Sequence, residues 1–190
     1  MTAFDPRTPS IARVYDYLLG GKDNFAADRA VAEKLLAVYP PVIETVPESR
    51  RFVERAVTWV AGQGITQFID LGAGLPTAPN THVTAREATP AAAAAGLVKR
   101  YMSAVAPGSY LIATIASGKG SRAEEFYQTY NASGFAAMYN HTSADFASFF
   151  DDLEIVPPGL GDSRRIRPGW SEFSSAPKRP DRIVAGIARL

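Results

Sequence analysis

Asp70-Leu71-Gly72-Ala73-Gly74 closes a short apolar run at Phe68-Ile69 and leads into Leu75-Pro76-Thr77. A carboxylate at the end of a strand accepts hydrogen bonds from hydroxyl or amino groups. Glycines on either side of Ala73 let backbone approach a ligand closely and take positive φ at little cost. That combination suits a nucleotide-type cofactor, although the same spacing also serves plain tight turns. His82 follows soon after and reads either as a base or as a solvated loop histidine. His141, between Asn140 and Thr142, reads as the start of a helix. With two histidines and no cysteine in the chain, a metal site would need carboxylates in a pattern that is not visible, so none is expected. Asp151-Asp152 reads as a turn before a strand. Gly118-Lys119-Gly120-Ser121 lacks the upstream glycine spacing of a phosphate loop. Phe126, Tyr127, Tyr130, Phe135 and Tyr139 either line an acceptor pocket or pack helices, the second being the commoner use. No Ser-His-Asp arrangement stands out, and no catalytic residue is assigned.

The elements that would carry these residues follow from periodicity and breakers. Residues 1–10 are a polar arm. Ser10 caps a helix to about Leu19, with Ile11, Val14, Tyr15 and Leu18 on one face and Gly20-Gly21 as the stop. A second helix runs from near Asp28 to Val38, where Pro40-Pro41 ends it. Residues 48–61 form an amphipathic helix with Phe52, Val53, Ala56, Val57 and Val60 inward. A strand is expected at 67–71 and a short helix at 83–88. A helix opening in the alanine run 91–95 continues to Val105. The spacing then predicts a strand at 110–115, a helix to about Tyr130 opened by a Ser121/Glu124 capping box, a helix at 143–150, and strands at 153–156 and 182–187. Helix, short loop and buried strand in succession indicate an α/β domain. The chain reads as one domain over 1–190, with a helical arm at 1–47 and an α/β core at 48–190.

The chain has 190 residues, 46% of them hydrophobic and 21% charged, enough apolar material for a core. A formal net charge of +1 gives no general pull toward nucleic acid or acidic membrane. Near the end, Arg164, Arg165, Arg167, Lys178, Arg179, Arg182 and Arg189 outnumber Asp162, Glu172 and Asp181. This excess reads as solvated surface or, more sharply, as a docking patch for an anionic substrate. The opening Met1-Thr2-Ala3-Phe4-Asp5-Pro6-Arg7 lacks the basic-then-apolar order of a secretory leader. No apolar run approaches the roughly 20 residues that span a bilayer. The expectation is a cytoplasmic protein that binds neither nucleic acid nor membrane.

Several segments together resemble one family. Pro9-Ser10-Ile11-Ala12-Arg13-Val14-Tyr15-Asp16-Tyr17-Leu18-Leu19-Gly20-Gly21-Lys22-Asp23-Asn24-Phe25-Ala26-Ala27-Asp28-Arg29 is similar to the opening of the actinobacterial S-adenosylmethionine-dependent methyltransferase-like family, first catalogued as a domain of unknown function. Arg51–Val57 leading into Gln67–Thr77 resembles its next block, and 110–117 and 149–159 resemble its later strands. The resemblance implies a class I (Rossmann-like) methyltransferase fold, a mostly parallel sheet with helices on both faces. S-adenosylmethionine would lie at the carboxyl ends of the first strands. Carried over, Asp70, Gly72, Ala73 and Gly74 form the first cofactor motif, and Tyr17, Gly21 and Asn24 lie over the cofactor as a lid, the other use of Tyr17 and Asn24 being core packing and local turn bonding. The implied function is methyl transfer to a small-molecule acceptor.

The sequence departs from that pattern after Glu87-Ala88-Thr89-Pro90. It passes through the alanine run directly into Gly96-Leu97-Val98-Lys99-Arg100-Tyr101, which resembles the helix before the fifth strand. About three strands of the expected sheet, one bearing the acid for the ribose hydroxyls, are therefore missing on this reading. The strand at 67–71 must then pair with 110–115 or leave an open edge, and an open edge invites a homodimer. The alternative function is an internally deleted, inactive remnant or a binding module.

Overall fold

The computed structural model describes residues 5–70, 91–118, 120–135, 137–177 and 182–190. Within these, α1 (Ile11–Leu18), α2 (Ala26–Val38) and α3 (Val42–Gly62) come first. They are followed by α4 (Ala91–Met102), β1 (Tyr110–Ser117), α5 (Ser121–Asn131), α6 (Ser143–Ala147), a 3-10 turn at Ser148–Phe150, β2 (Glu154–Ile155), β3 (Gly161–Asp162) and β4 (Arg182–Arg189).

β4 is the strand that every other described strand meets. It pairs antiparallel with β1 from Tyr110↔Arg189 to Ser117↔Arg182, and its other edge takes β2 at Ile155↔Ala188 and β3 at Gly161↔Ala185. Ile183, Val184, Ala185, Ile187 and Ala188 are all buried. A strand covered on both faces reads as a continuous apolar run rather than an alternating one, and Ile183-Val184-Ala185-Gly186-Ile187-Ala188 is such a run. Period-two alternation divides it between two layers. Val184 and Ala188, with Ala113 and Ile115 of β1, meet Ala94, Val98 and Met102 of α4 and Phe146, Phe149 and Phe150. Ala185 and Ile187 meet Phe52, Val53, Ala56 and Val60 of α3, with Val156 and Ile166 closing that side. The result is a helix–sheet–helix sandwich, as an α/β reading requires.

The sheet differs from the expected one. All pairings among the described strands are antiparallel, not mostly parallel, because β1 and β2 run the same way but β4 returns between them. The strand expected at 67–71 is not formed over its described part: residues 65–70 have no regular structure. Phe68 is 42% and Ile69 75% exposed, so this apolar run has not been taken into a sheet. A strand gains its stability from a paired neighbour and a covered face, and the described residues supply neither here.

The helices hold closely to expectation, with instructive exceptions. α3 begins at Val42, not 48, and passes through Pro47. The missing proline N–H is outweighed by a buried stripe that starts at Val42 and Val46 and continues to Val60. The expected 47/48 division between arm and core therefore falls inside one helix. The capping box expected at Ser121/Glu124 is absent, since Gly120 at φ 88° is the cap position of α5. A box forms instead at α6, where Thr142 N–H donates to Asp145 Oδ2 (2.7 Å) and Asp145 N–H to Thr142 Oγ1 (3.1 Å).

The N-terminal helices form a third apolar cluster in which Val14, Leu18, Ala32, Leu35, Val42 and Val46 meet Tyr130 of α5. One carboxylate ties the two helix starts together. Asp28, fully buried, accepts from Ser10 N–H (2.8 Å), Arg13 Nε (2.7 Å) and Phe25 N–H (2.8 Å). Ser10 occupies the cap position of α1, but its hydroxyl makes no cap bond. Burial pushes the Asp28 carboxyl up, yet the Arg13 guanidinium and the Ser10 and Phe25 amides outweigh it and hold it below the usual range.

Two predictions follow from this packing. A folded-state value below the unfolded one means that Asp28 stabilises above the unfolded carboxylate value of about 4 and loses that contribution as pH falls through the folded value. Asp28→Asn is expected to cost about 3 kcal/mol at neutral pH, with the gap to wild type closing as urea melts are taken below about pH 4. A gap independent of pH would count against the clamp. At Gly186, a Cβ would run into Leu160 Cδ2 and lie 3.1 Å from Phe150 Cζ. Gly186→Val should therefore lower the urea midpoint by the equivalent of about 1–3 kcal/mol.

Candidate functional site

The edge of β1 away from β4 has no strand partner among the described residues. An apolar cavity of about 320 Å³ lies along it. Val57 and Val60 of α3 wall one side, Leu97, Val98 and Met102 of α4 the other, and Leu111 and Thr114 of β1 the floor. The cavity reaches both layers because it stands at the sheet's open edge, where side chains of alternate direction are equally accessible. Residues 67–70 border it after the chain leaves α3 through Gly64 at φ 92°. Half-buried Asp70 is the one charged side chain among its described lining residues.

A second cavity, of about 110 Å³, lies between the N-terminal helices, α5 and the carboxyl end of β1. Ser49 lines this one and Thr114 the first, and their hydroxyls stand 3.1 Å apart. That hydrogen bond is part of the wall between the two spaces.

Of the residues expected to contact a cofactor, Asp70 is at the larger cavity. Gly72, Ala73 and Gly74 lie outside the described residues, as do His82 and Lys119. Tyr17, Gly21 and Asn24 are not among the residues lining either cavity. Tyr17 lies in α1 and packs against the N-terminal apolar cluster, while Gly21 and Asn24 belong to a turn built on Asp16, which is buried at the end of α1. The Asp16 carboxylate accepts from Asp23 N–H and Asn24 Nδ2, both at 2.9 Å, while Gly21 N–H donates to the Asp16 carbonyl. Asn24 Nδ2 also reaches the Gly21 carbonyl at 3.0 Å, and its Oδ1 accepts from Arg29. Asn24 is thus engaged in local turn bonding. Asp16 was missed in the sequence because it sits among Val14, Tyr15 and Leu18. A lone acid on an apolar helix face, seven residues before an Asp-Asn pair, was the available signal.

Phe126, Tyr127 and Tyr130 line the second cavity, while Phe135 packs on Tyr130 at 5.2 Å between ring centroids and Tyr139 is exposed. His141 is buried with its ring edge-on to Phe149 and precedes the cap residue Thr142. The C-terminal cations divide. Arg164 pairs with Asp162 at 2.7 Å, Arg165 donates to the Ser174 carbonyl and lies over Phe173, and Arg167 donates to the Arg164 carbonyl. These three shape the loop after β3 rather than standing ready for an anion. Among the described residues, no helix is long and apolar enough to cross a membrane.

Comparison with known proteins gives a consistent answer. A solved structure of a DUF574 family protein from Streptomyces avermitilis superposes with a TM-score of 0.85 at 21% identity, over 97% of this chain and 98% of that one. A Thermobifida fusca protein assigned only provisionally as a methyltransferase superposes with a TM-score of 0.81 at 26% identity, over 96% of this chain and 95% of that one. No curated protein matches the chain. The family described as S-adenosyl methyltransferase matches it in two pieces, residues 1–95 and 91–190. Together these pieces span the whole sequence, and the chain belongs to the S-adenosyl methyltransferase family.

Proposed function

We propose that this protein is an S-adenosylmethionine-dependent methyltransferase acting on a small-molecule acceptor, with its cofactor held at the segment that begins with Asp70. The observation that carries the reading is the placement of this carboxylate on the rim of an apolar cavity between α3, α4 and the open edge of β1. The donor set fits the group in kind. A carboxylate suits hydroxyl or ammonium donors, and a wall of Val57, Val60, Leu97 and Met102 suits the flat apolar face of a purine. Gly72, Ala73 and Gly74 complete the motif in this proposal. When bound, the cofactor supplies a methyl group already activated on a sulfonium sulfur. The protein then has to hold the acceptor in line and exclude water, work that needs binding walls more than a fixed acid or base. Tyr17, Gly21 and Asn24 serve, in this reading, to shape the turn after α1 rather than to touch the cofactor.

A second reading is favoured by specific observations. The two pieces of the family match meet at 91–95, inside the alanine run, and residues 65–70 lack strand pairing. Both support the loss of an internal segment. In that case the chain is a remnant that keeps the fold's outer layers and has lost transfer activity.

Calorimetric titration with S-adenosylhomocysteine separates the two. The first reading expects micromolar binding, weakened by about tenfold in Asp70→Asn through loss of a charge-assisted hydrogen bond. No binding by a protein whose circular dichroism shows it folded would overturn it in favour of the remnant.

A further inference from the structure

We infer that the second cavity is a binding site for a single-ring phenol. Its volume, about 110 Å³, is of the order of the roughly 150 Å³ engineered cavity that takes up benzene. It therefore admits one six-membered ring and little more. Ala116, Ser117 and Gly118, the carboxyl end of β1, form one part of its lining.

The lining gives the chemistry. Tyr15, Tyr39, Phe126, Tyr127 and Tyr130 contribute aromatic rings. Tyr39 and Phe126 stand 5.6 Å apart at 54°, and Phe126 and Tyr127 5.7 Å apart at 87°, so the wall presents both ring faces and ring edges. Such a wall favours an aromatic guest over an aliphatic one of equal size, because offset and edge-to-face contacts match the ring quadrupoles. Tyr39 and Ser117 bring hydroxyl groups to the strand end of the lining. A Cβ at Gly118 would stand 3.2 Å from Tyr39 Oη and 2.8 Å from Ala123 Cβ. Glycine there brings the tyrosine hydroxyl and the first turn of α5 against the end of β1, beside Ser117. A phenol seated with its ring among the aromatic side chains has its hydroxyl at this polar end, where a neighbouring hydroxyl can donate or accept. The inference concerns binding and needs no cofactor, so failure to bind S-adenosylhomocysteine leaves it standing.

The test uses the full chain labelled with ¹³C at the methionine methyl groups. Met138 lines the second cavity and Met102 the first, so their methyl signals, told apart from each other and from Met1 with Met138→Leu and Met102→Leu, report on separate spaces. Phenol is expected to shift Met138 in a saturable way and leave Met102 in place, with cyclohexanol binding about fivefold more weakly. Thr45→Leu, which fills the cavity from α3, should weaken phenol at least about tenfold while the wild-type protein continues to report through Met138. An unmoved Met138 at saturating phenol, a shift confined to Met102, or equal binding of cyclohexanol would overturn the inference.

Discussion

The structure depends on β4 being buried on both faces and paired on both edges. It is the one strand to which β1, β2 and β3 all bond, and its alternate residues supply the sheet's side of two apolar clusters. Gly186 stands at the tightest point, where Phe150 and Leu160 press on the backbone. A strand in this position leaves no room for a polar side chain or for a shift of register, since a one-residue slip would exchange the two faces. α3 and α4 are placed by it, and the cavity between them follows from their separation at the sheet's edge.

That edge is the second consequence. β1 is satisfied along one side by β4, and along the other it borders the apolar cavity and the irregular segment that ends at Asp70. The family relationship is clear over the whole chain, yet the segment most expected to be a strand is exposed. The same apolar residues, Phe68 and Ile69, would be ordinary core in a strand with neighbours. Among the described residues no strand pairs with them.

The N-terminal helices are fastened by charge as much as by apolar packing. Asp28 gathers Ser10, Arg13 and Phe25, and Asp16 gathers Asp23 and Asn24. Each buried carboxylate collects donors close to it in the chain. α3 is fastened similarly on its far side. Glu48 accepts from Arg51 and Arg55, and Arg55 reaches the Ser163 carbonyl at 2.7 Å. The arm itself is seated on α3 and α5 by apolar packing of Val14, Leu18, Ala32 and Leu35 against Val42, Val46 and Tyr130, and the second cavity lies within that seat.

Periodicity and breakers were enough to locate α1, α2, α4, α5, β1 and β4 to within a few residues, because each carries its own apolar stripe or run bounded by glycine or proline. They failed at Pro47, where tertiary burial kept a helix going, and at Ser121, where Gly120 took the cap position. β3 escaped because Gly161-Asp162 has no apolar pattern and exists only as a partner of β4. For the candidate site, Asp70 was legible from its spacing to the glycines, and the family from the Pro9–Arg29 block. That Asp16 is the acid around which Gly21 and Asn24 turn was not, since which donors a buried acid collects depends on how the chain turns back on it. The sequence by itself thus determined the local elements and the ancestry, both written in short-range pattern. Tertiary structure alone decided the antiparallel pairing among the described strands and the two cavities, because strand partners and enclosed space are set by contacts between residues far apart in the chain.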